Sequence, residues 1–146
     1  MSQIVVDSSL AVKWELPEDD SATAQALLEQ WVTDNIVRVV PSWFACEIAN
    51  VFFQRLKGGE ITQAAAERSY YRIIRAVSPF GFDPAVGARA LVIAQQTRQR
   101  ASYDAHYVAL AEQLGCDLWT ADERFWRAVH DDFPFVKWLG NVQART

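Results

Sequence analysis

Short apolar runs alternating with helical patterns are what most constrain this chain. Residues 4–6 (Ile-Val-Val) form a β-branched run that stops at Asp7-Ser8-Ser9, where the apolar spacing turns helical (Leu10, Ala11, Trp14). Pro17 and Glu18-Asp19-Asp20 end that helix and open another reaching about residue 32, with Leu27, Leu28 and Trp31 on its apolar face. Residues 36–40 read as a second buried strand closed by Pro41. Ser42 then caps a helix over 43–57 that Gly58-Gly59 stops. Thr62 opens a helix to about 77, and 78–82 reads as a short strand. Asp83-Pro84 starts a helix to about 98. Ser102 caps a helix that Gly115 ends. A strand over 117–120, a helix over 122–130 and a strand over 135–139 complete the pattern.

Such alternation predicts an α/β fold with a mostly parallel central sheet of about five strands and helices on both faces. With 146 residues and no linker, repeat or low-complexity stretch, residues 1–146 read as one domain. No apolar run reaches membrane-spanning length, and the opening MSQIVVDSSLAVKW lacks the plan of a secretory signal, so a cytoplasmic location is expected. Cys46 and Cys116 each lie in an apolar context without a neighbouring Cys or His, and read as buried thiols. Two histidines, His106 and His130, are too few for a histidine-rich metal site. The net charge of −4 is unevenly spread. Acids crowd the first third, while Arg68, Arg72, Arg75, Arg89, Arg98 and Arg100 gather in the middle, which leaves room for a basic face. Arg68, Arg72 and Arg75 fall on one stripe of their helix, and a solvated or protein-binding face is the simpler reading of it.

Ligands of parallel α/β sheets bind beyond the carboxyl ends of the strands, which singles out Asp7, Ser8 and Ser9, and Thr120 with Asp122. Two further acids sit oddly on their helices. Glu47 lies on a helix apolar on nearly all sides, with Asn50 and Gln54 its only polar neighbours. Asp104 shares a face with Tyr107, Val108 and Ala111 and has no Lys or Arg one turn away within its helix. Two carboxylates about 5 Å apart repel by roughly 3 kcal/mol at an effective dielectric near 20. Four gathered acids would therefore be protonated or neutralised by a divalent cation, and oxygen ligands alone favour Mg²⁺ or Mn²⁺. Such ions suit phosphodiester hydrolysis. Taken singly, each acid has a plainer reading. Asp7 and Asp122 could cap the helices that follow them, Asp104 could favour a helix dipole, and Glu47 could belong to a wet stripe with Asn50.

The segments IVVDSSLAVKWELPE, PSWFACEIANVFFQRL and SYDAHYVALAEQLGCDLWTADERF, with the closing strand, resemble the PIN domain, in particular toxins of the VapC type. The combination carries the resemblance: an aspartate ending the first strand, a Glu-x-x-Asn helix, a Tyr-Asp-Ala-x-Tyr helix and Thr-x-Asp after a strand. It implies a three-layer α/β/α fold and Mg²⁺- or Mn²⁺-dependent endoribonuclease activity. By motif position, Asp7 and Asp104 would be the principal metal ligands, with Glu47 and Asp122 completing the pocket directly or through water. Ser9, Asn50 and Thr120 match supporting positions. The resemblance also implies an RNA substrate, a homodimer and a cognate antitoxin that obstructs the site. Residues 58–100 are the least motif-like, and fit a part that tunes substrate or partner choice.

Three other readings stay open. A phosphoaspartate protein, either a receiver domain or a phosphatase, would also place Asp7 after its first strand, although the phosphatase pattern needs an acid where Ser9 stands. A non-catalytic binding module could use the fold for protein contacts alone. A PIN-domain nuclease of RNA maturation would keep the chemistry and change the biology.

Overall fold

The computed structural model describes residues 2–142. Its strands are β1 (Gln3–Val6), β2 (Val37–Val40), β3 (Ser78–Pro79), β4 (Leu118–Thr120) and β5 (Val136–Trp138). Its helices are α1 (Ser8–Ala11), α2 (Ser21–Thr33), α3 (Phe44–Lys57), α4 (Gln63–Arg75), α5 (Pro84–Gln96), α6 (Tyr103–Leu114) and α7 (Glu123–Val129). The five strands form one sheet in the order β3-β2-β1-β4-β5, and every neighbouring pair is parallel. The expected parallel α/β architecture is therefore the observed one.

Strand order follows from the handedness of parallel crossovers. From β1 the chain steps outward to β2 and β3, then returns past β1 to lay down β4 and β5 on the other side. Right-handed crossovers in opposite directions place their helices on opposite faces, and this yields three layers. The reversal falls between β1 and β4, the switch point at which such sheets bind ligands. Receiver-type proteins use the order 2-1-3-4-5. This sheet does not, which removes the fold basis of the receiver reading.

The core lies where both faces meet the sheet. Val5, Val6, Leu10, Ile48, Tyr107, Leu110 and Leu118 are all essentially inaccessible to water. Strands β1 and β4 are covered on both sides, so they read as continuous apolar runs.

Several local expectations needed correction. The strand expected over 78–82 pairs only at Ser78–Pro79, because an edge strand has one neighbour to hold it. The helices end earlier than periodicity suggested, α4 at Arg75 and α5 at Gln96. Ser42 does not cap α3, whose N-cap is Trp43 without a side-chain bond, and Ser102 caps α6 in position only. Helix α3 is not apolar on all sides in effect. Phe44, Ile48 and Phe52 are buried, whereas Cys46, Ala49 and Phe53 face solvent, since only one side of the helix is covered. Cys46 is thus an exposed thiol and Cys116 a half-buried one, and both are free. Among the described residues no helix is long and apolar enough to cross a membrane.

Candidate functional site

Each of the four singled-out acids sits at a helix N-terminus. Asp7 is the N-cap of α1 and Asp122 of α7, while Glu47 and Asp104 lie in the first turns of α3 and α6. In a βα unit the helix runs antiparallel to its strands. A helix entered from the end of a strand, or leading by a short turn into the start of one, therefore has its N-terminus at the carboxyl edge of the sheet. Helices α1, α3 and α7 follow β1, β2 and β4, and α6 leads through Gly115 into β4. Topology thus brings all four acids to one edge. The partial positive charge at each helix end offsets some of their mutual repulsion.

Asp7 is the most deeply placed, only 4 % exposed. Its Oδ1 accepts the Ser9 hydroxyl at 2.7 Å and the Leu10 backbone N–H at 3.1 Å. Burial pushes its carboxyl up to about 7, and the charge of Asp104 adds to that, against the opposing hydrogen bonds from Thr120, Ser9 and Leu10. Asp7 therefore caps a helix and also holds a costly charge beside other acids, so the two readings of this residue coexist. The Ser9 hydroxyl further accepts the Ala121 N–H at 3.0 Å and lies 3.3 Å from the hydroxyl of Thr120. Thr120 is completely buried and accepts the Asp122 N–H at 3.1 Å. Ser9 and Thr120 thus stitch the end of β1 to the end of β4.

Asp122 is exposed, and its Oδ1 caps α7 through the Phe125 N–H at 3.0 Å. Asp104 is half-buried. Its carboxyl is raised above the ordinary aspartate value by desolvation first, then by the charges of Asp122 and Glu47. Glu47 is half-buried and accepts the Tyr107 hydroxyl at 2.6 Å. Burial, then the neighbouring Glu47 charge and this hydrogen bond, raise the Tyr107 phenol well above its usual range, so it keeps its proton and donates. Trp43 packs edge-on against Tyr107 at a ring separation of 5.2 Å and holds it in place.

Glu47, Asp104 and Asp122 face one open cleft of about 450 Å³, with Asp7 set behind it. The same cleft is also lined by Arg98, Arg100, Arg124 and Tyr103. These four, and the partnership of Tyr107 with Glu47, were not assigned from sequence. A signal for part of the wall was present, since residues 97–101 lead directly into the helix bearing Asp104. Asn50 is exposed on α3 and does not line the cleft. The α4 arginines stand elsewhere: Arg72 pairs with Glu15 at 3.2 Å, and Arg75 lies over the Tyr71 ring.

The donor set suits a hard divalent cation, with carboxylates only, one buried and three others lining a shared cleft. Among the described residues no three acids, histidines or cysteines stand close enough together to ligate one ion. Mg²⁺ ordinarily keeps several waters and binds through one or two carboxylates, so the arrangement fits an ion held partly through water.

A family model described as PIN domain matches residues 4–130. Among solved structures, PAE2754 from Pyrobaculum aerophilum is similar with a TM-score of 0.66 at 19% identity, covering 87% of this chain and 79% of that one. VapBC-1 from nontypeable Haemophilus influenzae is similar with a TM-score of 0.65 at 11% identity, covering 95% of this chain and 99% of that one. At these identities the likeness is one of fold. No curated protein matches the sequence.

Proposed function

This chain belongs to the PIN domain family, and on that premise we propose that it is a metal-dependent endoribonuclease acting as the toxin of a toxin–antitoxin pair. The observation carrying this reading is the convergence of Asp104, Glu47 and Asp122 on one cleft with Asp7 buried nearby, the carboxyl of Asp104 raised in part by the charges of Asp122 and Glu47 and that of Asp7 in part by Asp104. An acidic cluster without a paired Lys or Arg is at odds with a purely structural role.

Asp7 and Asp104 are the principal ligands of Mg²⁺ or Mn²⁺, and Glu47 and Asp122 contribute directly or through water. Such an ion, when bound, supplies water activation at neutral pH and stabilises the charge that develops on a phosphoryl group. The chain's own residues prepare the site. Ser9 fixes the Asp7 rotamer by donating to Oδ1, and Thr120 holds Ser9 in turn. Tyr107 orients Glu47 toward the cleft while keeping its own proton. Asn50 and the homodimer implied by the family resemblance gain no support from the site itself. The toxin role and the antitoxin partner take support from the VapC-like motifs and from the structural likeness to VapBC-1.

The test is induced expression of the chain and of Asp104→Asn, followed by mapping of cleaved cellular RNA ends and by assays of purified protein with Mg²⁺, Mn²⁺ or EDTA. Removing one charged group from such a site lowers the rate on the order of a hundredfold or more, with the fold intact. Equal cleavage by the Asn variant, or cleavage undiminished in EDTA, refutes the assignment. RNA cleavage without growth arrest would retain the nuclease and favour a role in RNA maturation.

A further inference from the structure

A glycine inside a helix costs stability, and Gly87 in α5 has none of the usual structural reasons to be one. Its φ is not positive. A Cβ built there would meet, beyond its own helix backbone, a single atom within 4 Å: Nε2 of His106 at 3.7 Å, an ordinary contact. What the missing side chain leaves is open space over that nitrogen.

The space is a cavity of about 140 Å³ at the carboxyl ends of β2 and β3, lined among others by Trp43, Phe80, Phe82, His106 and Leu110. No residue lines both this cavity and the acidic cleft. Trp43 links the two, with its ring edge-on to His106 at 5.8 Å and to Tyr107 at 5.2 Å, and Tyr107 donates to Glu47. Phe82, at 85% exposed, is a large aromatic side chain that the fold leaves uncovered on this cavity.

His106 brings one defined polar edge. Its Nδ1 lies 2.7 Å from the Ser102 carbonyl, which can only accept, so Nδ1 carries the proton and Nε2 of the neutral ring is an acceptor. Among the described residues nothing donates to that Nε2.

Resting on the nuclease reading above, we propose that this cavity receives a pyrimidine base of the RNA from a nucleotide near the cut, and that His106 Nε2 accepts its N–H. The donor is the ring N–H of uracil or the amino N–H of cytosine. An apolar cavity of about 150 Å³ takes up one benzene ring, so this one suits a single six-membered ring and not the fused rings of a purine. Apolar walls with one placed polar group are what a base-sized ligand needs, and the Phe82 ring offers it a stacking face. A bare acceptor among such walls gives an anion nothing to bind.

The experiment measures anisotropy of fluorescein-labelled oligo-uridine, oligo-cytidine and oligo-adenosine 12-mers with the full chain carrying Asp104→Asn, in EDTA, so that no cleavage runs. Both pyrimidine strands bind on the order of tenfold more tightly than the adenosine strand, the scale of one buried hydrogen bond. Gly87→Ala fills the cavity and abolishes the preference, with the melting temperature unchanged or higher because alanine favours the helix. His106→Asn keeps a donor for the Ser102 carbonyl but loses the Nε2 acceptor, and it brings the pyrimidine strands to the adenosine level. Methylating the ring nitrogen of uracil has the same effect on the unaltered cavity. Affinity for the adenosine strand does not respond to either substitution.

Equal affinity for the three strands overturns the proposal, as does absence of binding at low salt. So does a preference that survives Gly87→Ala or His106→Asn, or a lower melting temperature for Gly87→Ala, which would make the glycine a packing residue. Failure of the nuclease reading is seen separately. In that case the base preference and its loss in both variants stand, yet the wild-type chain yields no cleavage with Mg²⁺ or Mn²⁺ that Asp104→Asn removes.

Discussion

Replacing Asp7 by Asn removes a charge that burial makes expensive while keeping the oxygen that caps α1. The carboxyl stands at about 7 in the folded chain against 3.8 for an unperturbed aspartate. A gap of about three pH units, at about 1.4 kcal/mol each, corresponds to roughly 4 kcal/mol. The sign follows from which state holds the proton. Below about pH 4 the carboxyl is neutral in both states, and the group costs nothing. Between about 4 and 7 the unfolded chain ionises first, so stability falls as pH rises, and above about 7 the whole loss is present. Asn carries no such dependence, and it caps helices about as well as Asp. In EDTA the two proteins should therefore unfold alike near pH 4, while Asp7→Asn is the more stable by up to about 4 kcal/mol at pH 8. In urea, with a slope of about 2 kcal/mol/M, the midpoints should separate by about 2 M. Mg²⁺ at a hundredfold its dissociation constant should return about 2.7 kcal/mol to the wild type and less to the variant. If Asp7→Asn is instead the weaker protein at pH 8 in EDTA, Asp7 is a structural cap and the electrostatic reasoning fails.

Three further outcomes are expected. Tyr107→Phe removes the 2.6 Å bond to Glu47 and should cost about 1–2 kcal/mol in urea unfolding, with weaker Mn²⁺ binding by calorimetry. Unchanged metal affinity would mean that Tyr107 does not orient Glu47. Ser9→Ala leaves the Ala121 N–H without its acceptor and Asp7 without its hydroxyl donor, and should destabilise by about 1–3 kcal/mol in the same assay. Gly140→Ala would place a Cβ 2.2 Å from the Trp138 ring, which is itself stacked on Trp126. The ring must shift against its stacking partner, so a loss of about 1–3 kcal/mol and altered tryptophan fluorescence are expected, and a neutral result would show that the stack yields.

The sequence by itself determined the parts that depend on neighbours in the chain. The β-branched run before Asp7, the bonded caps at Thr62 and Asp83, and the left-handed stop at Gly115 are local, and alternation of these elements leaves a parallel sheet as the packing solution. It also placed the four acids at the starts of helices, and the antiparallel run of helix against strand carried them to one edge. Tertiary structure decided what stands opposite what at that edge. Tyr107 meets Glu47 sixty positions away, and Arg98 and Arg100 reach the cleft because α5 and α6 pack as a pair. Cys46, read as buried from its apolar neighbours, faces water because only one side of α3 is covered. Spacing along a helix says which residues share a face, but only the packed neighbours decide whether that face is covered, and the energy of a buried charge depends on the latter.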